Sequence, residues 1–359
     1  KDRAEQPTAV RCKSDFVSRH FLCAKSTSCS ALKKKNTKID CEPMREYSSN
    51  TAASGMTDSK KSLLSLGSNM GNPKKNIRLA VQKIAGLDGV QALRESRYRK
   101  SMPVGGPSAQ AEFVNAAIEV STTLDPQELL SAIIKIEQEL GRERKQRWDE
   151  RIIDIDILTW DKNVQSSPSL TLPHPRMSLR RFVLEPVCDL VPLGRHPETG
   201  WTYARHLEHL TYAGNYAVTL HNTNQSAAEA YLRLSQNDNV LVAQSLPLAR
   251  SVTELGRVFD RLKHWISQYE QDVFLLCDFA PRECLIQHPE LAAEVATQES
   301  SLPLPRLLVF LTDNIHNEYR HQFITRIMPD EIIAPWLFLD INETDRLHQE
   351  LEALAFCHL

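Results

Sequence analysis

The chain has 359 residues, of which 42% are hydrophobic and 25% are charged, and its formal net charge is −2. This length predicts two domains, and the composition suits a protein that buries hydrophobic cores. The near-neutral charge argues against a general nucleic-acid coat, and no apolar run is long enough to span a bilayer. The eight cysteines form no C-x-x-C pair, and no secretory h-region follows the first residues given. We therefore expect a cytoplasmic protein with reduced thiols and without a zinc site.

Residues 1–60 are predicted to be a disordered or non-native segment, because their apolar residues are sparse and follow no period. The basic run Lys33–Lys35 could bind nucleic acid, but a solvated tail is the simpler interpretation. The chain does not begin with Met, and Met56 lies just before the first predicted strand. We expect that much of residues 1–55 was translated from upstream of the true start.

Residues 61–195 alternate strands and helices in an order that predicts one domain. The predicted elements are strands at 62–66, 91–100, 113–121 and 152–160, and helices from Pro73 and Pro126. Asp125 and Glu128 form a capping-box pattern for the second helix, and Gly141 ends it. The order strand-helix-strand-strand-helix-strand is the ferredoxin-like, or split βαβ, arrangement of α+β proteins. This fold supports many functions, so function has to be inferred from the site.

The strand at 152–160 contains Asp154 and Asp156 among apolar residues. Side chains alternate along a strand, so the two carboxylates point to the same face. Two adjacent carboxylates repel each other, whereas a bound Mg²⁺ ion would stabilise both charges. Taken alone, the pattern is more often a half-exposed strand whose acidic side chains face water.

A basic segment precedes this acidic pair. Five cations lie within ten residues, namely Arg142, Arg144, Lys145, Arg147 and Arg151. Guanidinium groups bind phosphate oxygens in a bidentate manner and stay protonated. A metal-bound polyphosphate between the two sets of charges would account for both. The alternative is a solvated loop in which Glu143, Asp149 and Glu150 pair with the basic side chains.

The segment from Arg142 to Asp156 resembles the signature of 6-hydroxymethyl-7,8-dihydropterin pyrophosphokinases, and the likeness extends over Leu63–Leu193. Other segments resemble family motifs in the same order: Gly67–Gly71, Pro103–Pro107 with Gln110 and Phe113–Asn115, Glu137 with Gly141–Arg142, Leu172–Arg176, and Arg180–Phe182. The resemblance implies a ferredoxin-like pyrophosphokinase domain. Such an enzyme transfers pyrophosphate from ATP to the hydroxymethyl group of the dihydropterin and releases AMP, in folate biosynthesis.

The resemblance also implies a role for individual residues. The residues implied to bind the pterin are Val104, Phe113, Asn115 and Phe182, with the two rings stacked on the heterocycle. Those implied to surround ATP are Glu137, Arg144, Trp148, His174 and Arg180. Asp154 and Asp156 would hold two Mg²⁺ ions, while Arg142 and Arg151 would stabilise the transition state. Considered without the family, the two phenylalanines are more often core residues, and Asn115 more often caps a bulge.

One departure from the family pattern lies at Asp149–Glu150, where the family usually has a small pair such as Gly-Pro. Negative charge beside a polyphosphate should weaken nucleotide binding unless both side chains face water. This departure motivates an alternative function, a non-catalytic scaffold that binds pterin and nucleotide. The predicted partners in either case are small molecules, with no nucleic acid and no membrane.

The second domain is predicted over residues 214–359, after a linker at 196–213. Strand-like runs at 216–220, 240–243, 273–277, 307–311 and 336–339 alternate with helical patterns, which predicts a mostly parallel sheet. This domain weakly resembles a deoxynucleoside kinase, with Asp278 at the end of its central strand. A phosphate-binding loop needs glycines and a lysine, and Thr219–Ser226 contains neither. We therefore expect no kinase activity here, but binding of a partner, a regulator or a second copy of the chain.

Overall fold

The computed structural model describes residues 44–47, 59–103, 111–142, 150–221, 241–244, 246, 249–268, 274–277, 284–285, 287–312, 324, 332–340, 342 and 350. These residues include two main sheets, which belong to one compact unit. None of the helices among them is long and apolar enough to cross a membrane.

The first sheet contains the strands predicted for the ferredoxin-like domain, with the predicted strand at 91–100 divided into two, and one further strand near the start of the described residues. Its strands are β1 (Arg45–Glu46), β2 (Lys60–Ser68), β3 (Val90–Glu95), β4 (Arg99–Ser101), β5 (Phe113–Thr122) and β6 (Asp154–Trp160). The spatial order is β1-β3-β5-β2-β6, and β4 also pairs with β5. All of these pairs are antiparallel. Because β5 lies between β2 and β3, the predicted split βαβ arrangement is the one observed.

Helices cover both faces of this sheet. Helices α1 (Pro73–Ala85) and α2 (Pro126–Glu139) pack on the face that carries Leu64 and Leu66 of β2. Helices α3 (Arg181–Leu190) and α4 (Tyr203–Tyr212) follow a short hairpin of β7 (Gln165–Ser166) and β8 (Thr171–Leu172) and a 3₁₀ turn at Met177–Leu179. Residues of α3 and α4 pack with Leu63, on the opposite face. Alternate side chains of β2 therefore pack into two hydrophobic cores, one on each face of the sheet.

The prediction that residues 1–60 lack structure is wrong for the short strand β1 and for Lys60, which begins β2. Strand β1 pairs with β3 at the edge of the sheet. Beside it, the hydroxyl group of Tyr47 donates a 2.7 Å hydrogen bond to the buried carboxylate of Glu95. Backbone pairing and this side-chain bond hold a segment too polar to form a core of its own. Residues 1–43 and 48–58 lie outside the described residues.

The predicted cap of α2 is confirmed. A carboxylate oxygen of Asp125 accepts hydrogen bonds from the backbone N–H groups of Gln127 (2.8 Å) and Glu128 (2.9 Å). The Glu128 carboxylate accepts one from the Asp125 N–H at 2.9 Å, which completes the capping box. Gly141, just after the helix, has a φ of +92°, a conformation that favours glycine.

Replacing Asp125 by Ala is expected to lower the free energy of unfolding by about 1 kcal/mol, because two backbone donors lose their acceptor. Urea denaturation followed by circular dichroism measures this loss. Asp88→Ala is a matched control, since Asp88 is an exposed aspartate in the turn before β3. Equal unfolding midpoints for both variants would contradict a stabilising contribution of about 1 kcal/mol from the cap.

The second sheet is parallel, as predicted. Its strands are β9 (Gly214–His221), β10 (Leu241–Gln244), β11 (Phe274–Cys277), β12 (Pro305–Thr312) and β13 (Trp336–Asp340), in the spatial order β10-β11-β9-β12-β13. Helix α5 (Val252–Gln268) packs its apolar face, including Phe259 and Trp265, into the core of this sheet, and a shorter helix α6 spans Ala292–Glu299. The likeness to a deoxynucleoside kinase stays a prediction, because residues 222–226 and Asp278 lie outside the described residues.

The predicted linker at 196–213 contains helix α4. The Thr202 side chain accepts a hydrogen bond from the Arg205 N–H and caps the helix, which buries Tyr203 and Leu210. Nε2 of His209 lies 3.1 Å from the carbonyl oxygen of Pro305 and 3.2 Å from that of Arg306, in β12. This segment is thus an ordered connection that touches both sheets.

Candidate functional site

The site is built on one row of residues across the first sheet. Gly67 of β2 lies opposite Asn115 of β5 on one side and opposite Asp154 of β6 on the other. Residues in one row of a sheet point to the same face, and neighbouring strands are about 4.8 Å apart. A Cβ atom at Gly67 would lie 3.3 Å from Oδ1 of Asn115 and 3.8 Å from Cδ1 of Phe113. Because Gly67 has no side chain, a space is left between Asn115, which is predicted to bind the pterin, and Asp154, which is predicted to bind the metal.

The predicted acidic and basic residues meet at the start of β6. Nη2 of Arg142 lies 2.8 Å from Oδ1 of Asp154, and Arg151 forms an ion pair with the other oxygen of the same carboxylate. Arg142 also forms an ion pair with Glu137, whose carboxylate accepts a 2.8 Å hydrogen bond from the Ile155 N–H. Two guanidinium groups thus share one carboxylate at the start of β6.

The carboxylates of this cluster differ in how deeply they are buried. The Glu137 side chain is 4% exposed, whereas those of Asp154 and Asp156 are 23% and 38% exposed. Burial raises the pKa of Glu137 to about 7, although Arg142 and the Ile155 N–H favour its charged form. The two aspartates, on the same face of β6, are the carboxylates within reach of a ligand.

His174 lies beside this pair, in the turn after β8. Its backbone N–H donates to the Leu158 carbonyl at 2.8 Å, and its Nδ1 accepts a 3.2 Å hydrogen bond from the Arg176 N–H. Burial lowers the pKa of His174 to about 3, so the ring is neutral and carries its proton on Nε2. Nε2 lies 3.9 Å from Oδ2 of Asp156. The ring can donate a hydrogen bond to a phosphate oxygen at this position.

The start of α3 supplies the remaining described residues. The guanidinium carbon of Arg180 lies 5.5 Å from the centre of the Phe182 ring, within the range of a cation–π contact. Farther along α3, Asp189 pairs with Arg97 at 2.5 Å and with Arg99 at 2.9 Å. These bonds join α3 to the segment around β4 and hold Arg180 and Phe182 at the same face as Asn115.

Of the four predicted pterin-binding residues, the structure describes Phe113, Asn115 and Phe182. Phe113 and Phe182 are both partly exposed, so neither ring is a fully buried core residue. Nδ2 of Asn115 donates a 2.9 Å hydrogen bond to the Ser101 hydroxyl group. The pairing of Asn115 with Gly67 is regular, but on the other side of β5 the register shifts by one residue between the pairs Glu95–Ile118 and Arg99–Asn115. The alternative that Asn115 caps a bulge therefore stays open. Val104, Arg144 and Trp148 were predicted site residues, and they lie outside the described residues.

Asn69, which the sequence analysis did not select, connects the turn after β2 to the segment before β6. Its Oδ1 accepts a 2.8 Å hydrogen bond from the Arg151 N–H, and its own N–H donates to the Arg151 carbonyl at 3.1 Å. Its Nδ2 contacts the Ala111 carbonyl at 3.4 Å. The side chain is buried in the predicted turn Gly67–Gly71, and an amide in a glycine turn was the only sequence signal.

The donor set fits Mg²⁺ better than a metal that needs a complete protein cage. Among the described residues, no group of three or more His, Cys, Asp or Glu side chains could hold a metal ion. Mg²⁺ is commonly bound through one or two carboxylates together with substrate phosphates and water. Asp154 and Asp156 supply this minimal set.

The segment that carries these residues is similar in sequence to known proteins. A sequence model of the family described as 7,8-dihydro-6-hydroxymethylpterin-pyrophosphokinase matches residues 63–192. A 2-amino-4-hydroxy-6-hydroxymethyldihydropteridine pyrophosphokinase of Haemophilus influenzae is 36% identical over 127 residues, which are 35% of this chain and 79% of the relative. The protein of the same name from Pseudomonas aeruginosa is 37% identical over 150 residues, covering 42% of this chain and 89% of the relative.

A third relative of that name, from Bacillus subtilis, is 39% identical over 127 residues, covering 35% of this chain and 75% of the relative. Among solved structures, Plasmodium falciparum HPPK-DHPS A437G is matched at 11% identity and a TM-score of 0.35, over 85% of this chain and 80% of that one. All the candidate site residues lie within the segment 63–192.

Proposed function

This chain belongs to the 7,8-dihydro-6-hydroxymethylpterin-pyrophosphokinase family, and we propose that the cluster around Asp154 is its reaction centre. The enzyme transfers pyrophosphate from ATP to the hydroxymethyl group of 6-hydroxymethyl-7,8-dihydropterin, a step of folate biosynthesis. The observation that supports this location is the pairing of both Arg142 and Arg151 with the Asp154 carboxylate.

Asp154 and Asp156 would hold Mg²⁺, and we propose two ions. Bound Mg²⁺ would neutralise negative charge on the transferred phosphates and help to align them. Both oxygens of Asp154 are paired with guanidinium groups. Arg142 and Arg151 therefore exchange this carboxylate for phosphate oxygens when the nucleotide binds. Charged donors that are already in place for developing negative charge stabilise a transition state at little cost in reorganisation.

The remaining residues bind the two substrates. Neutral His174 donates from Nε2 to a phosphate oxygen, and Arg180 contributes a positive charge beside it. Buried Glu137 orients Arg142 and the start of β6. Phe113 and Phe182 stack on the pterin, and Asn115 with the Val104 backbone binds its edge. Arg144 and Trp148 complete the ATP contacts.

An AMP-release assay on the full chain tests this function. AMP should form only when ATP, Mg²⁺ and the dihydropterin alcohol are all present. Calorimetry with a non-hydrolysable ATP analogue and the pterin measures binding separately. Tight binding of both ligands without AMP release would overturn the catalytic role and favour the scaffold. The cytoplasmic location and the domain boundaries at 61–195 and 214–359 remain predictions.

Replacing Gly67 by Ala is expected to raise the KM for the pterin on the order of tenfold, because the new Cβ atom displaces Asn115. The KM for ATP should change much less. Steady-state kinetics with each substrate varied in turn measures the two values. Gly256→Ala, in α5, is a matched control because its Cβ atom would meet nothing within 4 Å. An unchanged pterin KM in Gly67→Ala would contradict the assignment of Asn115.

A further inference from the structure

We propose that the C-terminal half of the chain, residues 214–359, positions the nucleotide-binding turn of the pyrophosphokinase site through the ion pair between Arg176 and Glu350. This inference rests on the proposed function of His174 as an ATP contact. It gives the C-terminal half a role in the proposed reaction that requires no catalytic residue of its own. Arg176 and Glu350 act here as positioning residues.

The ion pair joins two distant parts of the chain. Arg176 follows His174 in the turn after β8, and Glu350 lies 174 residues later. The Glu350 side chain is 2% exposed and that of Arg176 is 22% exposed. Burying a carboxylate is costly unless it is paired, and removing one partner of such a pair leaves an uncompensated charge. The position of Glu350 therefore restricts where the Arg176 guanidinium group can lie.

A tight turn transmits this restriction to the site. The Arg176 N–H donates to Nδ1 of His174 at 3.2 Å, and the Met177 N–H donates to the His174 carbonyl at 3.0 Å. Because Nδ1 is an acceptor, Nε2 carries the proton and points towards Asp156, 3.9 Å away. A shift of the Arg176 backbone would therefore change both the position and the preferred tautomer of the imidazole ring.

Residues of β13 pack behind the same turn. A small cavity of about 20 Å³ is lined by His174 and Ser178 of the turn, by Pro335 just before β13, and by Trp336 and Phe338 of β13. That volume is about enough for one water molecule. The hydroxyl oxygen of Ser178 is buried and has no hydrogen-bond partner among the residues that the structure describes. Residues of β13 thus line the same cavity as the turn that carries His174.

The simpler alternative is that the ion pair only fastens the two sheets together. In that case its loss lowers stability but leaves the substrate affinities of the folded enzyme unchanged. If the ion pair positions His174, its loss should displace the ring and weaken the binding of ATP, while the binding of the pterin should stay unchanged. The pterin-binding candidates Phe113 and Asn115 lie on β5, which does not include this turn. The third candidate, Phe182, lies in α3, which the pairs of Asp189 with Arg97 and Arg99 hold independently of Glu350.

The test uses full-length Glu350→Gln, which keeps the size of the side chain and removes its charge. We expect the KM for ATP, and the calorimetric Kd for a non-hydrolysable ATP analogue, to rise about tenfold, equivalent to about 1.4 kcal/mol. The KM for the pterin should stay within about twofold. Phe259→Leu is the matched control, because Phe259 is a buried core residue of the same half. It should lower the thermal midpoint without changing either KM.

A double-mutant cycle and NMR separate positioning from general damage. If the two residues act together, Arg176→Gln with Glu350→Gln should weaken ATP binding no more than Arg176→Gln alone. The ¹⁵N shifts of His174 should show the Nε2–H tautomer in the wild type and a larger share of Nδ1–H in Glu350→Gln. Unchanged ATP affinity in folded Glu350→Gln, or additive effects in the cycle, would overturn the inference while wild-type AMP release still stands. A wild-type chain without AMP release would overturn the proposed function and this inference together.

Discussion

Asp154→Ala is expected to lower kcat for AMP release on the order of 10³-fold, because it removes a proposed metal ligand and the group that aligns two guanidiniums. The fold should survive, since the Asp154 side chain is 23% exposed and Arg142 keeps its partner Glu137. Steady-state kinetics at saturating ATP and pterin measures the loss, and the thermal midpoint reports on folding.

Two further variants test the same prediction. Asp156→Ala should show a loss of similar size, because both carboxylates lie on the same face of β6. Asp88→Ala, at an exposed turn, should behave as the wild type. Turnover of Asp154→Ala within tenfold of the wild type would remove this residue from the reaction centre.

Arg142→Ala is expected to have the second largest effect, a kcat lowered on the order of 10²-fold, because a charged donor is lost. It should also destabilise the fold in a pH-dependent way. Glu137 has a pKa raised to about 7 by burial, and Arg142 opposes that rise. Without the arginine, the pKa of Glu137 rises further, so the folded state resists ionisation over a wider pH range.

The sign of this pH dependence follows from linkage. A carboxyl group whose pKa is higher in the folded state contributes stability at low pH and loses it as the pH rises through that pKa. The variant and the wild type should therefore differ little at pH 5, and by on the order of 3 kcal/mol well above pH 7. Urea denaturation at both pH values measures this difference.

Arg195→Ala is the matched control for this experiment. Arg195 is an exposed arginine whose guanidinium group donates to the Gly200 carbonyl at 2.7 Å. Its loss should give a small and nearly pH-independent change in stability. A destabilisation of Arg142→Ala that is equally large at pH 5 and above pH 7 would contradict the coupling between Arg142 and Glu137.

The sequence by itself determined the local elements and the chemical type of the site. Asp125, Glu128 and Gly141 mark the ends of α2 through hydrogen bonds and a positive φ that involve only neighbouring residues. The two-residue period of a strand places Asp154 and Asp156 on one face wherever that strand lies. The parallel sheet of residues 214–359 followed from the alternation of strands and helices. Each of these features depends on short-range geometry.

The tertiary structure alone decided which distant residues meet. Strand register places Asn115 and Asp154 on either side of Gly67, and the edge of β3 gives order to β1 in a segment predicted to have none. Burial sets the pKa of Glu137, and packing brings Glu350 to Arg176 across 174 residues. Contacts, burial and charge separation are sums over the whole fold, so no local pattern contains them. For this protein, the sequence specified the candidate catalytic groups, and the packing of the chain determined the positions of those that the structure describes.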